Sequence, residues 1–130
     1  MSAPRVGEVF ERASAPIERI QLVKYAGASG DWNRIHVEEE FARAAGYPSV
    51  FAHGMLSMGL LGQLLAARFG PEAVRRLKVR FKAITWPGDV VTCRAEVTAV
   101  REAEADLRVW AETKPGNVTV EGTATVKLST

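Results

Sequence analysis

The sequence predicts an α+β fold in which an antiparallel β-sheet wraps around one long central helix. Residues 54–69 are apolar on nearly every side, which is typical of a helix surrounded by protein. After Pro71 the hydrophobic period changes to two, as in strands with one buried face. The chain has 130 residues, of which 47% are hydrophobic. We therefore expect residues 1–130 to form one domain with a genuine core.

Before the central helix, the pattern predicts a short strand and two helices. The strand is expected at Val9 to Ala13 and the first helix at Ile17 to Ala28. That helix follows a start signature formed by Ser14, Pro16 and Glu18. A stretch rich in turn formers comes next, and Glu38-Glu39-Glu40 then favours a helix start because negative charge stabilises the first turn. Gly46 and Pro48 end this second helix.

After the central helix, four runs alternate between apolar and polar residues. They lie at Leu77 to Phe81, Val91 to Val97, Leu107 to Ala111 and Val118 to Leu128. The connections at Pro87-Gly88, 102–104 and 115–117 are typical of hairpins, so we expect the four strands to form a meander. Gly59 and Gly62 each cost about 1 kcal/mol relative to alanine inside a helix, which close packing of the sheet on the helix would explain.

Two polar side chains in the loop after the first helix are the candidate catalytic residues. Asp31 and His36 supply a carboxylate and an imidazole, which together can hold a water molecule and deprotonate it near neutral pH. Gly54, at the start of the central helix, offers free backbone N–H groups and is a candidate anion site. Each residue also has a purely structural interpretation. Asx turns explain Asp31 and Asn33, and the backbone angles of a turn explain Gly54.

The order and spacing of these residues resemble a known family. The run from Tyr25 to His36, the helix start Ala52-His53-Gly54-Met55 and the segment Thr85 to Asp89 resemble MaoC-like (R)-specific enoyl-thioester hydratases and dehydratases, a branch of the hotdog fold. The resemblance covers nearly the whole chain. It implies that the motif loop and the short helices form a segment overhanging the sheet. Arg34 stands where the family usually has proline, so the loop loses a fixed φ angle.

The resemblance also implies an activity and a role for each site residue. The reaction is the (R)-specific hydration of trans-2-enoyl thioesters in fatty acid metabolism, or the reverse dehydration, which makes the chain a hydro-lyase. Asp31 would orient the water, His36 would be the principal base, and Asn33 would hold the loop or the water. The backbone N–H of Gly54 would stabilise the oxyanion. Phe51, Met55 and Met58 are the expected lining of the acyl pocket, and His53 is expected to hydrogen-bond the loop.

The thioester carrier is expected to be coenzyme A or acyl carrier protein. Lys78 and Arg80, on the polar face of a predicted strand, are candidate contacts to its phosphates, although a solvated strand face also explains them. The family works as dimers, so we expect a homodimer or a heterodimer with a related, non-catalytic hotdog chain. Two rival functions stay open. One is a hotdog thioesterase, which would release a free thiol, and the other is a non-catalytic acyl-binding subunit.

Several classes of function are disfavoured by the composition. The net charge of +2 gives little support to nucleic-acid binding, and no recognised nucleic-acid motif accompanies it. The longest apolar stretch is shorter than the roughly 20 residues that span a bilayer. No spaced metal-ligand pair, serine nucleophile elbow or phosphate loop is present, so we expect neither a metal nor a cofactor. The single Cys93 lies in a strand as a small buried hydrophobe, which fits a reducing cytoplasm.

Overall fold

A computed structural model describes residues 3–128 of the chain. One five-stranded antiparallel sheet packs against a long helix, which confirms the predicted α+β class. The strands are β1 (Val9–Ala13), β2 (Val74–Phe81), β3 (Thr92–Val100), β4 (Glu104–Glu112) and β5 (Val118–Lys127). The helices are α1 (Arg19–Ser29), α2 (Glu39–Ala44) and α3 (Gly54–Phe69), with short 3₁₀ helices at Arg34–His36 and Pro71–Ala73. No helix within residues 3–128 is long and apolar enough to cross a membrane.

The strand order in the sheet is β1-β3-β4-β5-β2. Strands β3, β4 and β5 form the expected meander, but the prediction of a hairpin at Pro87-Gly88 is wrong. Strand β2 pairs with β5, at the far side of the sheet from β3. The chain from Lys82 to Val91 therefore crosses over instead of turning back. A period-two pattern identifies strands but carries no information about which strand becomes the neighbour.

Helix α1 starts two residues later than predicted, at Arg19 instead of Ile17. The reason is a long-range contact, because Ile17 exchanges backbone hydrogen bonds with Gly88 and Asp89 and stays extended. Ser14 does not cap the helix either. Its hydroxyl accepts a hydrogen bond from the backbone N–H of Val91 at 2.9 Å and so fixes the end of β1.

Helix α3 is buried on one face only in the single chain, so the expectation of a helix surrounded by protein is not met. Its buried side chains, which face the sheet, include Leu56, Leu61, Leu64, Leu65 and Phe69. Met55, by contrast, is 54% exposed. Close packing of the sheet on the helix does not explain Gly59 and Gly62 either. A Cβ at Gly62 would make only an ordinary contact of 3.8 Å with Leu77, and one at Gly59 would meet no atom within 4 Å.

Candidate active site

The loop after α1 is shaped by its own polar side chains. Asp31 Oδ1 accepts a hydrogen bond from the backbone N–H of Asn33 at 3.2 Å, and Asn33 Oδ1 accepts one from the backbone N–H of Ile35 at 3.2 Å. Asn33 thereby caps the 3₁₀ helix that carries His36. The Asx turns are thus present, but they use only one oxygen of the Asp31 carboxylate. The other oxygen stays available for a further partner.

Arg34, which replaces the usual proline, is tied to the following segment by its side chain. It forms an ion pair with Glu38, one turn further along the chain, and its guanidinium lies 4.5 Å from the centre of the Phe41 ring. The loop is therefore held at this position by side-chain contacts, where proline would act through a fixed φ angle.

The 3₁₀ helix turns His36 inward, where the side chain is only 8% exposed. Its Nδ1 lies 2.7 Å from the carbonyl oxygen of Phe51. Because a carbonyl oxygen only accepts, Nδ1 carries a proton, so in the neutral imidazole the lone pair lies on Nε2. The Phe51 ring also packs edge-on against the imidazole at 5.1 Å. His36 is thus fixed in orientation, with Nε2 as the nitrogen left to act as the general base.

His53 lies directly against His36. The two imidazole rings stack with centroids 3.8 Å apart, and the Tyr25 ring packs on His53 at 4.8 Å. His53 is 2% exposed, and its Nε2 donates to the backbone carbonyl of Asp31 at 3.0 Å. Burial lowers the pKa of His53, against a smaller raising effect of this hydrogen bond. His53 is therefore neutral at neutral pH, and it holds the loop as the sequence suggested.

Asp31, His36 and His53 form a compact cluster. One carboxylate oxygen of Asp31 and one ring nitrogen of each histidine all lie within 4.8 Å of one another. That separation leaves room for one water hydrogen-bonded to both a carboxylate and an imidazole. The arrangement gives no specific support to a metal site, because His36 Nδ1 and His53 Nε2 are already bonded to carbonyl oxygens.

A cavity of about 440 Å³ opens beside this cluster. Asp31, His53 and Gly54 line it, together with Phe51 and Met55 of the expected acyl pocket. Met58 is half-buried further along α3 and does not line this cavity, and neither does His36. The apolar wall beside a few polar groups is typical of a small-molecule site.

Gly54 is the first residue of α3, and its backbone faces the cavity. The N–H groups of the first helical turn have no partner inside the helix, and the helix dipole favours negative charge there. The φ angle of Gly54 is not positive, so the turn does not explain the glycine. The neighbouring Phe81 side chain explains the glycine instead, because a Cβ at position 54 would lie 3.1 to 3.3 Å from the Phe81 ring.

The crossover after β2 supplies cavity residues that the sequence analysis did not assign to the site. Lys82, Ile84 and Thr85 line the cavity, and so does Ser57 from α3. The carbonyl of Thr85 accepts a hydrogen bond from the backbone N–H of Ala52 at 2.9 Å, which joins the crossover to the start of α3. The Thr85 to Asp89 motif could have indicated these residues. The prediction of a hairpin there placed the segment away from the site.

Lys78 and Arg80 lie outside this cavity. They line a second cavity on β2 and β5 with Glu121 and Thr123. The structure therefore separates the candidate phosphate contacts from the acid-base cluster.

Comparisons with known proteins agree with these features. Residues 2–121 match the family model described as MaoC like domain. The chain is 36% identical to an (R)-specific enoyl-CoA hydratase of Rhodospirillum rubrum, with 86% of this chain and 80% of that protein aligned. It is 34% identical to the (R)-specific enoyl-CoA hydratase of Aeromonas caviae, with 90% of each chain aligned.

Solved structures show the same fold. The structure of the (R)-hydratase from A. caviae, described as involved in PHA biosynthesis, superimposes with a TM-score of 0.89 at 28% identity. The match covers 99% of this chain and 100% of that one. The hotdog fold implied by the sequence resemblance is thereby confirmed. The family match over nearly the whole length leads to one assignment: the chain belongs to the MaoC-like domain family.

Proposed function

We propose that the chain catalyses the (R)-specific hydration of trans-2-enoyl thioesters, and the reverse dehydration of (3R)-hydroxyacyl thioesters, in fatty acid metabolism. The observation that carries the proposal is the placement of Asp31 and His36. Asp31 lines the apolar cavity at the start of α3, and its carboxylate oxygen lies within 4.8 Å of an imidazole nitrogen of His36, which sits just behind the cavity wall. The activities named for the relatives support the same reaction.

In this mechanism, Asp31 holds a water molecule and His36 Nε2 removes a proton from it as the oxygen attacks C3. The π electrons of the C2–C3 bond pass to the thioester oxygen, where the N–H of Gly54 and the dipole of α3 stabilise the negative charge. The protonated His36 is then the acid available to protonate C2. Asn33 holds the loop by capping the 3₁₀ helix. In dehydration the same groups act in reverse.

The acyl chain is proposed to lie along the apolar wall formed by Phe51 and Met55. Met58, one turn further along α3 than Met55, is proposed to contact longer chains. The carrier is a thioester of coenzyme A or of acyl carrier protein, and no resident cofactor takes part in the reaction. The cytoplasmic location and the single-domain organisation stay predictions.

The first experiment follows the loss of enoyl-thioester absorbance with crotonyl-coenzyme A and a longer enoyl homologue, with chiral analysis of the product. We expect the (R)-3-hydroxy product, and we expect Asp31→Asn and His36→Ala to abolish turnover while keeping the fold by circular dichroism. Near-normal turnover in either variant would contradict the assignment. Release of free thiol, detected with a thiol reagent, would identify a thioesterase instead.

We also propose that the chain forms a homodimer. Strand β2 is eight residues long and pairs only with β5 within residues 3–128, which leaves one main-chain edge open. Open edges of this length favour pairing with another chain. Beside it, α3 exposes a row at every fourth position. The row consists of Met55, Gly59, Gln63 and Ala67. Its small residues allow a second helix to approach closely.

Light scattering after gel filtration tests the homodimer. We expect the mass of two chains for the wild-type protein and of one chain for Gly59→Glu, which places a charge on the open face of α3. Lys24→Glu, at an exposed position of α1, is the matched control and should stay dimeric. A wild-type protein with the mass of one chain would contradict the homodimer and would favour a heterodimer with a related chain.

A further inference from the structure

The cavity beside Asp31 and His53, called here the catalytic cavity, contains a buried serine that the proposed mechanism does not use. Ser57 of α3 is only 3% exposed, and it lines this cavity. Its hydroxyl makes no hydrogen bond within residues 3–128, yet its oxygen is not sealed from solvent, which reaches it through the cavity. Buried hydroxyls are normally hydrogen-bonded. A molecule that enters the cavity is therefore the natural partner of Ser57.

Ser57 lies close to the free N–H groups at the start of α3. The N–H of Leu56 bonds to the carbonyl of His53 at 3.0 Å, whereas the N–H of Gly54 makes no hydrogen bond among the described residues. Ser57 stands three positions after Gly54, so the two residues share one face of the helix. Side chains of an α-helix lean towards its N-terminus and cover the preceding turn. The Ser57 hydroxyl is thereby carried towards the first turn, where the N–H of Gly54 lies.

Two other polar groups at the catalytic cavity have no partner in the part of the chain that the structure describes. His53 Nδ1 is one of them, but Nε2 carries the proton of this ring, so Nδ1 can only accept. The hydroxyl of Thr85, a residue 5% exposed, is the other. Thr85 belongs to the crossover after β2 and not to the helix that carries the Gly54 N–H. Ser57 is thus the side-chain donor that shares the helix start with Gly54.

The proposed reaction needs donors at this place. As water adds to C3 of the enoyl thioester, negative charge develops on the thioester oxygen. Such an oxygen accepts more than one hydrogen bond, and oxyanion sites combine backbone N–H groups with side-chain donors such as serine. A hydroxyl can rotate to follow the oxygen, and it donates without giving up its proton. A hydroxyl beside the N–H of Gly54 therefore matches what the developing charge requires.

We propose that Ser57 is a further catalytic residue, whose hydroxyl donates a hydrogen bond to the thioester oxygen beside the N–H of Gly54. This inference rests on the proposed hydratase function. The hydrogen bond strengthens as charge forms on the oxygen, so it stabilises the transition state more than the bound substrate. Loss of the Ser57 hydroxyl should therefore lower kcat and leave KM nearly unchanged.

Steady-state kinetics with crotonyl-coenzyme A gives the first test. In Ser57→Ala we expect kcat to fall about ten- to a hundredfold with little change in KM. Ser57→Cys nearly keeps the side-chain volume, but a thiol is a weak donor, so its kcat should stay close to that of Ser57→Ala. Ser57→Thr keeps a hydroxyl and should recover most of the lost kcat. A wild-type kcat in Ser57→Ala, or a loss confined to KM, would overturn the proposal.

Urea denaturation separates a catalytic role of Ser57 from a structural one. Ser57→Ala breaks no hydrogen bond within residues 3–128, and alanine is the better helix former, so the midpoint should stay or rise. The matched control is Ser14→Ala, because the Ser14 hydroxyl accepts from the Val91 N–H at 2.9 Å and does not line the catalytic cavity. This control should lower the midpoint and keep the wild-type kcat. A midpoint that falls together with kcat in Ser57→Ala would assign Ser57 a structural role.

A spectroscopic measurement distinguishes failure of this inference from failure of the hydratase function. Cinnamoyl-coenzyme A absorbs at longer wavelength when donors polarise its thioester carbonyl, and it is bound to Asp31→Asn so that no water adds. We expect a red shift in this protein and a smaller one in Asp31→Asn/Ser57→Ala. Equal shifts, or no shift in either protein, would overturn the role of Ser57. A shift that depends on Ser57, without turnover of enoyl thioesters by the wild-type protein, would keep that role and reject the hydratase function.

Discussion

The imidazole rings of His36 and His53 stack nearly face to face, with centroids 3.8 Å apart and planes inclined by 25°. The two histidines are anchored through different nitrogens to different carbonyls. His36 Nδ1 is bonded to Phe51, and His53 Nε2 is bonded to Asp31. His53 thus contacts both members of the proposed acid-base pair, one through its ring face and the other through its N–H. We infer that it positions them without taking part in proton transfer.

Replacing His53 should lower kcat more than it alters KM. In His53→Phe the ring face remains but the donor to the Asp31 carbonyl is lost, so the loop shifts and kcat should fall about ten- to a hundredfold. In His53→Gln the side-chain amide can still donate, and the loss should be smaller. Steady-state kinetics with crotonyl-coenzyme A checks both variants. Wild-type kcat in His53→Phe would contradict the positioning role.

Stability should fall with decreasing pH in a window set by His53. Its pKa in the folded protein lies below the ordinary value of 6.5, so the unfolded chain takes up the proton first as the pH drops. The contribution of His53 to the free energy of unfolding is therefore fully present above about pH 6.5, and it is lost as the pH falls from there towards the lowered pKa. Urea denaturation at several pH values measures this slope. The free energy of unfolding should depend less on pH in His53→Gln. An equal pH dependence in both proteins would show that other groups cause it.

Gly54→Ala should destabilise the protein by about 1 kcal/mol, because its Cβ would come within 3.1 to 3.3 Å of the half-exposed Phe81 ring. The alanine keeps the backbone N–H that the oxyanion would need. A second substitution, Phe81→Leu, should relieve the contact, so the double variant should be more stable than the sum of the single effects predicts. Denaturation of all four proteins gives this coupling. Strict additivity would contradict the steric explanation.

Arg34→Pro should give a folded and active protein. Position 34 begins the 3₁₀ helix, where proline fits well, and the substitution would remove an exposed ion pair with Glu38 worth about 0 to 1 kcal/mol. The reduced freedom of the unfolded chain offsets part of that loss. Thermal melting should therefore show a change within about 1 kcal/mol, and a larger destabilisation would show that proline does not fit this loop.

Cys93 should resist thiol reagents in the native protein. The residue is 3% exposed, and burial raises the pKa of its thiol to about 11, so little thiolate forms at pH 8. Reaction with a chromogenic disulfide should be slow in buffer and fast in denaturant. Fast reaction of the native protein would show that β3 opens readily. Cys93→Ala should leave turnover unchanged, since the side chain does not line the catalytic cavity.

Much of the fold was predictable because its signals are local. Strand β1 and helix α3 have the predicted bounds, since hydrophobic period and flanking residues define them. The pairing of β2 with β5 was not predictable in the same way. It depends on which edge of the sheet accepts the strand, and this is decided by contacts between residues far apart in the chain.

The sequence by itself determined the chemical types at the site, because Asp31, Asn33 and His36 lie within six positions on one loop, where spacing alone brings them together. Only the tertiary structure decided what surrounds them. His53 reaches His36 from 17 positions away, and the crossover after β2 brings Lys82 and Thr85 to the same cavity. Local spacing fixes which groups one loop can present. Burial, ring stacking and the walls of a cavity arise from packing between segments that the chain order leaves apart.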